Sequence, residues 1–297
     1  MKADEASSTA YTVSQGIVYS GRYSPDRQFV PETLLQSNEL ILQSSRPGRK
    51  LLRQLSHPLY RMLLRIFERL TLPGMAFHYV LRKTYIEHCV RQAIDSGAKQ
   101  VIVLGAGFDT LALRLSHEFS AVVFIEVDHP ATSQAKLESL NSQSQIADNY
   151  YFAAVDFSRE SLYESLKNFQ SFDKSLHSVF VCEGVLMYLS ESDVGQLLEN
   201  VNQLTNQKKH FVFTSLEPLE SSSNDSGYLL RLYLRLKHES LGWTCSQELI
   251  SAFLSKYHYQ KIESVEDFEI AKMIMPGMRR RRYHRGEYVV NAISEKS

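Results

Sequence analysis

Apolar positions change their period along the chain. Leu34, Leu35, Leu40, Ile41 and Leu42 recur at helical spacing, and after Pro47-Gly48 a second helical stretch runs through Leu51, Leu52, Leu55, Tyr60, Leu63, Leu64, Ile66 and Leu70. Leu72-Pro73-Gly74 ends it, and a third helix is expected over 77–94, stopping near Gly97. The polar stretch before Glu32, with scattered aromatics, reads as a loosely ordered arm. From Val101 onward, short β-branched runs alternate with helical stretches, as a doubly wound sheet requires. Strands are expected at 101–104, 121–127, 150–155, 178–182 and 210–215, and two more at 260–265 and 287–293. Helices are expected after Pro130, around Leu162 and Leu166, over 194–204 and 228–237, and after Ser246.

This pattern divides the chain into an amino-terminal arm and helical cap, residues 1–95, and an α/β core, residues 96–297. A loop near 216–240 at a strand's carboxyl end is expected to face a substrate, and a basic insert lies near 273–285. The 297 residues are 43% hydrophobic and carry a formal net charge of zero, so no nucleic-acid partner is expected despite the local run Arg279 to Arg282. No apolar run approaches the ~20 residues of a membrane span, and no membrane partner is expected. The first residues, MKADEASSTA, lack a signal peptide's apolar core. Cys89, Cys182 and Cys245 have no metal-ligand spacing and leave an odd thiol, which fits a reducing cytoplasm.

The chemistry centres on residues 99–114, KQVIVLGAGFDTLALR, a buried strand, a glycine turn and the start of a helix. Such joints bind nucleotides in α/β folds, and Gly105 and Gly107 allow close approach of a ligand to the backbone. The third glycine of a dinucleotide fingerprint is replaced by Thr110. Asp109 suits a cationic ligand better than a pyrophosphate, and S-adenosylmethionine carries a sulfonium and an ammonium. Asp109 can equally serve as a helix N-cap, and the two roles are compatible.

Acidic residues mark the ends of successive strands: Glu126 and Asp128, then Asp156, then Glu183. In an open α/β sheet these ends line one crevice, so the four carboxylates are expected to converge on the turn at Gly105. A carboxylate after the second strand can accept two ribose hydroxyls, and one after the third can accept an adenine amine. No HExxH pair or comparable cluster points to a metal, and no GxSxG elbow points to a nucleophilic hydrolase.

QVIVLGAGFDT, FIEVDHP, VDF and CEGVLMYLS, in that order, resemble the leucine carboxyl methyltransferase family, from about Arg82 through the last strand. The closing GWTCSQELI and GEYVV segments are similar to it too. The resemblance implies a class I methyltransferase, Rossmann-like fold with a mostly parallel seven-stranded sheet, and methyl transfer from S-adenosylmethionine to a carboxyl oxygen. It implies that Arg82 pairs with the methionyl carboxylate and that Gly105, Ala106, Gly107 and Asp109 form the cosubstrate turn. It further implies Glu126 and Asp128 near the ribose, with Asp128 as its acceptor, and Asp156 with Phe157 at the adenine. Glu183 falls near the methionyl ammonium and Tyr188 on the substrate side. The chain departs from the family in one place, where Leu111 stands for an arginine often found there.

A carboxylate acceptor is already ionised near neutral pH, so its methylation needs positioning and exclusion of water rather than a strong base. The expected acceptor is therefore a small molecule or another carboxyl-bearing molecule. A phenol or hydroxyl acceptor would fit if His129 or Tyr188 served as base, and a protein that binds the cosubstrate without turnover would keep the same pocket.

Overall fold

The structure, a computed structural model, describes residues 8–141, 146–157, 160–224, 241–278 and 282–294. Seven strands form one sheet: β1 (Gln100–Leu104), β2 (Val123–Asp128), β3 (Tyr150–Ala154), β4 (Ser178–Cys182), β5 (Lys209–Leu216), β6 (Gln260–Val265) and β7 (Glu287–Ser294). Their order is β3-β2-β1-β4-β5-β7-β6. The first five run parallel, and β7 is antiparallel to both β5 and β6. Chain direction in space reverses between β3 and β4, so the crevice of this sheet opens at the carboxyl ends of β1 and β4.

The helices are α1 (Ser8–Tyr23), α2 (Glu32–Ser44), α3 (Arg46–Ser56), α4 (Pro58–Thr71), α5 (Met75–Asp95), α6 (Leu111–Glu118), α7 (Pro130–Asn141), α8 (Leu162–Leu166), α9 (Glu191–Leu204), α10 (Ile250–Ser255) and α11 (Asp267–Ile274). Strand alternation sorts the core into two layers. Val101 and Val103 pack into one apolar cluster with residues of α1, α2, α5, α6 and α11. Ile102 and Leu104 pack into the other, with α8, α9 and α10. The amino-terminal helices thus share a core with the sheet, and α5 lies directly on β4, β5 and β7.

Three expectations about the helices are corrected. Residues 8–23, read as a loose arm, form α1, in which every residue from Ser14 to Ser20 is buried. A helix enclosed on all sides shows no amphipathic stripe. Its glycines are contact points: a Cβ on Gly16 would lie 2.7 Å from Tyr79, and one on Gly21 would lie 2.8 Å from Leu35. The stretch from Leu51 to Leu70 is two helices, because His57 is extended ahead of Pro58, which opens α4. A helix unseen in the sequence, α11, precedes the basic insert and starts from a capping box between Glu266 and Glu269. The helix expected over 228–237, residues 225–227 of the preceding loop and Arg279 to Arg281 of the insert lie outside the described residues.

Replacing Gly16 by leucine tests the packing of α1. Leucine is the better helix former by roughly 0.8 kcal/mol, so a loose arm would be unchanged or stabilised. In the packed helix the side chain must displace Tyr79, and the expected outcome is a loss of about 1–3 kcal/mol in urea unfolding.

Candidate active site

At the end of β1 the backbone turns through Gly105, Ala106 and Gly107. Gly105 and Gly107 have φ of +63° and +51°, and a Cβ on Gly105 would stand 2.5 Å from Val185 Cγ2. Gly105 N donates to the Val127 carbonyl at 2.8 Å, and Gly107 N donates to Asp128 Oδ2. Asp128 Oδ1 accepts from His129 N at 2.6 Å, so this one carboxylate fixes the turn against the end of β2. Tyr11 of α1 meets the ring of Phe108 edge-on, with centroids 4.8 Å apart, and Ser37 of α2 donates to Thr110 Oγ1 at 3.0 Å. These two helices roof the turn.

Asp109 is occupied by the protein itself. Its Oδ1 accepts from Leu111 N at 2.5 Å, although Thr110, one residue later, holds the N-cap position of α6 in place of Asp109, and its Oδ2 accepts from Lys83 Nζ at 2.6 Å. Lys136 of α7 donates to the Asp109 carbonyl and to Glu126 Oε2. Burial would raise the Asp109 pKa, but Lys83 and Lys136 hold it well below the usual carboxylate range.

A buried chain of charges runs from this turn to the last strand. Lys83 also donates to Glu183 Oε2 at 3.1 Å, and Arg82 Nε donates to Glu183 Oε1 at 2.8 Å. Arg82 Nη1 reaches both oxygens of Glu287 at 2.7 Å. Glu287 Oε2 is 2.9 Å from His78 Nε2, whose Nδ1 lies 2.7 Å from Asp267 Oδ1. A ring between two carboxylates donates from both nitrogens only as imidazolium. Burial opposes that charge, yet Asp267 and Glu287 outweigh it and lift the His78 pKa to about 9. Burial likewise works against Glu287, but Arg82 and His78 hold it well below the carboxylate range.

The structure thus brings Arg82, Gly105, Ala106, Gly107, Asp109, Asp128 and Glu183 together. Asp156 and Phe157 follow β3 next to them, since Val155 N donates to the Asp128 carbonyl at 2.8 Å, and Phe157 is 50% exposed. Tyr188 lies on the turn that packs Val185 against Gly105, and is 47% exposed. Glu126 corrects the expectation of four converging strand ends. It lies within β2, two residues short of Asp128, only 2% exposed, with its carboxylate turned to Lys136 beneath the Asp109 turn. His129 Nδ1 accepts from Ala131 N at 3.3 Å at the start of α7. Leu111, where the resemblance implies an arginine, is packed in the core. His78, Lys83, Lys136, Asp267 and Glu287 were missed. Their one sequence signal is an ionisable residue set among apolar ones, as in HYVLRKTYI. Among the described residues no group of three or more metal-ligating side chains forms.

The charged state of His78 makes stability depend on pH. Its folded pKa of about 9 lies above the ordinary 6.5, so its contribution is fully present below pH 6.5 and is lost as pH rises through 9. The shift corresponds to on the order of 3 kcal/mol. Urea unfolding of the wild type should therefore lose stability between these two pH values, and His78→Gln should flatten that fall. Parallel pH profiles would remove the imidazolium from the network.

The leucine carboxyl methyltransferase family profile matches residues 44–202. The "putative S-adenosyl-L-methionine-dependent methyltransferase YktD" of Bacillus subtilis is 31% identical over 121 residues, 40% of this chain and 39% of that protein. The "probable leucine carboxyl methyltransferase 1" of Caenorhabditis briggsae is 27% identical over 173 residues, 50% of this chain and 51% of that protein. The chain thus spans less than half the length of the first relative and about half of the second. Two solved structures align over nearly the whole chain. One is a "putative methyltransferase" from Thermobifida fusca (TM-score 0.58, 16% identity, 93% of this chain and 99% of that one). The other is a duf574 family protein from Streptomyces avermitilis (TM-score 0.58, 11% identity, 97% and 98%). At such identities they establish the fold alone, a seven-stranded Rossmann-like sheet. The family match covers more than half of the residues, and the chain belongs to the leucine carboxyl methyltransferase family.

Proposed function

We infer that this protein is an S-adenosylmethionine-dependent O-methyltransferase whose acceptor is a carboxylate. The observation that carries the reading is Asp109, whose carboxylate fills the first turn of α6. A pyrophosphate would need that helix end free and uncharged. Over the whole network, Asp109, Glu126, Asp128, Glu183, Asp267 and Glu287 outnumber Arg82, Lys83, Lys136 and the His78 imidazolium, a balance that suits a cation.

The residues present fit such a cosubstrate. Each oxygen of Asp128 accepts one backbone N–H and keeps a lone pair for a ribose hydroxyl. Asp156 and Phe157 offer an acceptor and an exposed ring for adenine. Arg82 Nη2 is paired with Glu183 Oε1 at 2.8 Å, and we assign its second N–H to the methionyl carboxylate and Glu183 to the ammonium. Glu126 is left out of this set. Bound there, S-adenosylmethionine supplies a methyl group on a sulfonium, which an acceptor oxygen takes as the carbon–sulfur electron pair returns to sulfur.

The acceptor class follows from the missing base. Of the two candidate bases, His129 uses Nδ1 to receive an α7 amide, and Tyr188 is a phenol, a group ordinarily protonated at neutral pH. Neither is suited to deprotonating a phenol at neutral pH, whereas a carboxylate arrives ionised. We assign Tyr188, 47% exposed beside the turn, to the acceptor side.

S-adenosylhomocysteine at ~100 times its dissociation constant should stabilise the protein by about 2.7 kcal/mol. Asp128→Asn should weaken that binding roughly tenfold, since a hydrogen bond to a charged group contributes about 1.5–3 kcal/mol. Glu126→Gln should leave the affinity unchanged; calorimetry showing the reverse order would exchange their roles.

The acceptor class is tested with methyl-labelled S-adenosylmethionine and a cell extract. Carboxyl methyl esters release volatile methanol in mild alkali, and methyl ethers do not. Release of most of the transferred label is expected. Alkali-stable label would point to a hydroxyl acceptor, and no transfer despite ligand binding would leave a binding protein.

A further inference from the structure

Helix α4 presents an apolar face that the fold does not cover. Leu59, Met62, Leu63, Ile66, Phe67 and Leu70 recur at i, i+3, i+4, i+7, i+8 and i+11, and each is between 49% and 64% exposed. The opposite face is fastened to the protein. Tyr60 Oη accepts from Gln15 Nε2 at 3.1 Å, Leu64 packs on the core, Thr71 is buried, and Glu68 Oε1 accepts from Ala76 N at 3.1 Å. Turning the exposed residues inward would break all of these contacts, so the outward stripe is fixed by the fold.

Charge selects what the stripe meets. Along α3 and α4 stand Arg46, Arg49, Lys50, Arg53, Arg61, Arg65 and Arg69 against a single acid, Glu68, in a chain with no net charge. At 100° per residue Arg69 borders the apolar stripe beside Met62, Arg65 lies further round the helix, and Arg61 falls on the side turned to the protein. Arg61 and Arg65 are held over the rings of Tyr23 and Tyr19. A second copy docked on this face about a twofold axis would set like charges against each other, whereas an anionic surface complements them.

We propose that α4 lies flat on an anionic lipid surface, its apolar stripe in the acyl boundary and the exposed cations Arg46, Lys50, Arg53 and Arg69 of α3 and α4 at the head groups. A basic helix with one strongly apolar side is the form such anchors take. No described helix is long and apolar enough to cross a membrane, which does not bear on a helix lying in the interface; a membrane-surface partner runs against the sequence expectation, which rested on the lack of a spanning run.

The full chain is mixed with vesicles of phosphatidylglycerol and phosphatidylcholine, or of phosphatidylcholine alone, and sedimented. Partition onto the anionic vesicles should be at least about tenfold higher and should fall at high salt. The double variant I66D/F67D should lose it by at least about tenfold, and R53Q/R69Q by about tenfold at low salt. Ile66→Trp should be quenched by brominated acyl chains, a readout that does not depend on how the aspartate variant folds. Equal partition onto both vesicle types, wild-type binding by I66D/F67D, or an unquenched tryptophan overturns the proposal. So does a dimer or a protein complex that I66D/F67D dissociates while vesicle binding is absent in the wild type.

Discussion

The guanidinium of Arg82, clamped between Glu183 beyond β4 and Glu287 at the start of β7, holds the functional end of the molecule together. All three side chains are nearly inaccessible, and at that depth an unpaired ion costs about 3–5 kcal/mol. The network therefore stands or falls as a whole. Through it α5 is fixed to β4, β7 and, by way of His78 and Asp267, to α11. Through Lys83 it is fixed to Asp109 at the glycine turn. Hydrophobic packing sets the layers of this fold, and charge pairing sets the register of its crevice.

That register bears on what the crevice can hold. The glycine turn is braced from below by Asp128 and roofed by α1 and α2, so its shape is settled before any ligand arrives. The helix end that would draw an anion is already satisfied by Asp109, and the carboxylates around it leave an environment suited to a cation. A site formed in this way loses little free energy to ordering when it binds, which is the condition for positioning two reactants without a strong base.

Helix α4 stands apart from this machinery. Its inward face is tied to α1 and α5 by hydrogen bonds, while its outward face carries side chains that a purely internal role would have made polar. The same helix thus serves the core with one face and leaves the other to the surroundings. The crevice and the surface stripe make separate demands on the sequence.

The sequence by itself determined the sheet and the turn. Short β-branched runs, closed by glycine or by acids, are local signals, and β4 and β6 begin and end where the pattern puts them. The motif residues Gly105, Asp128 and Glu183 were legible for the same reason. Tertiary structure alone decided the rest. Helix α1 reads as an arm because its buried Ile17, Val18 and Tyr19 stand among equally buried Ser14, Gln15, Gly16 and Ser20, and only Tyr79 and Leu35 explain its glycines. Glu126 and Asp128 are alike in a one-dimensional pattern, and the difference between them is made by Lys136, ten residues away on α7. His78 and Glu287 are 209 positions apart and meet only in the folded chain. A carboxylate's role depends on which cation reaches it first, and periodicity carries no information about that.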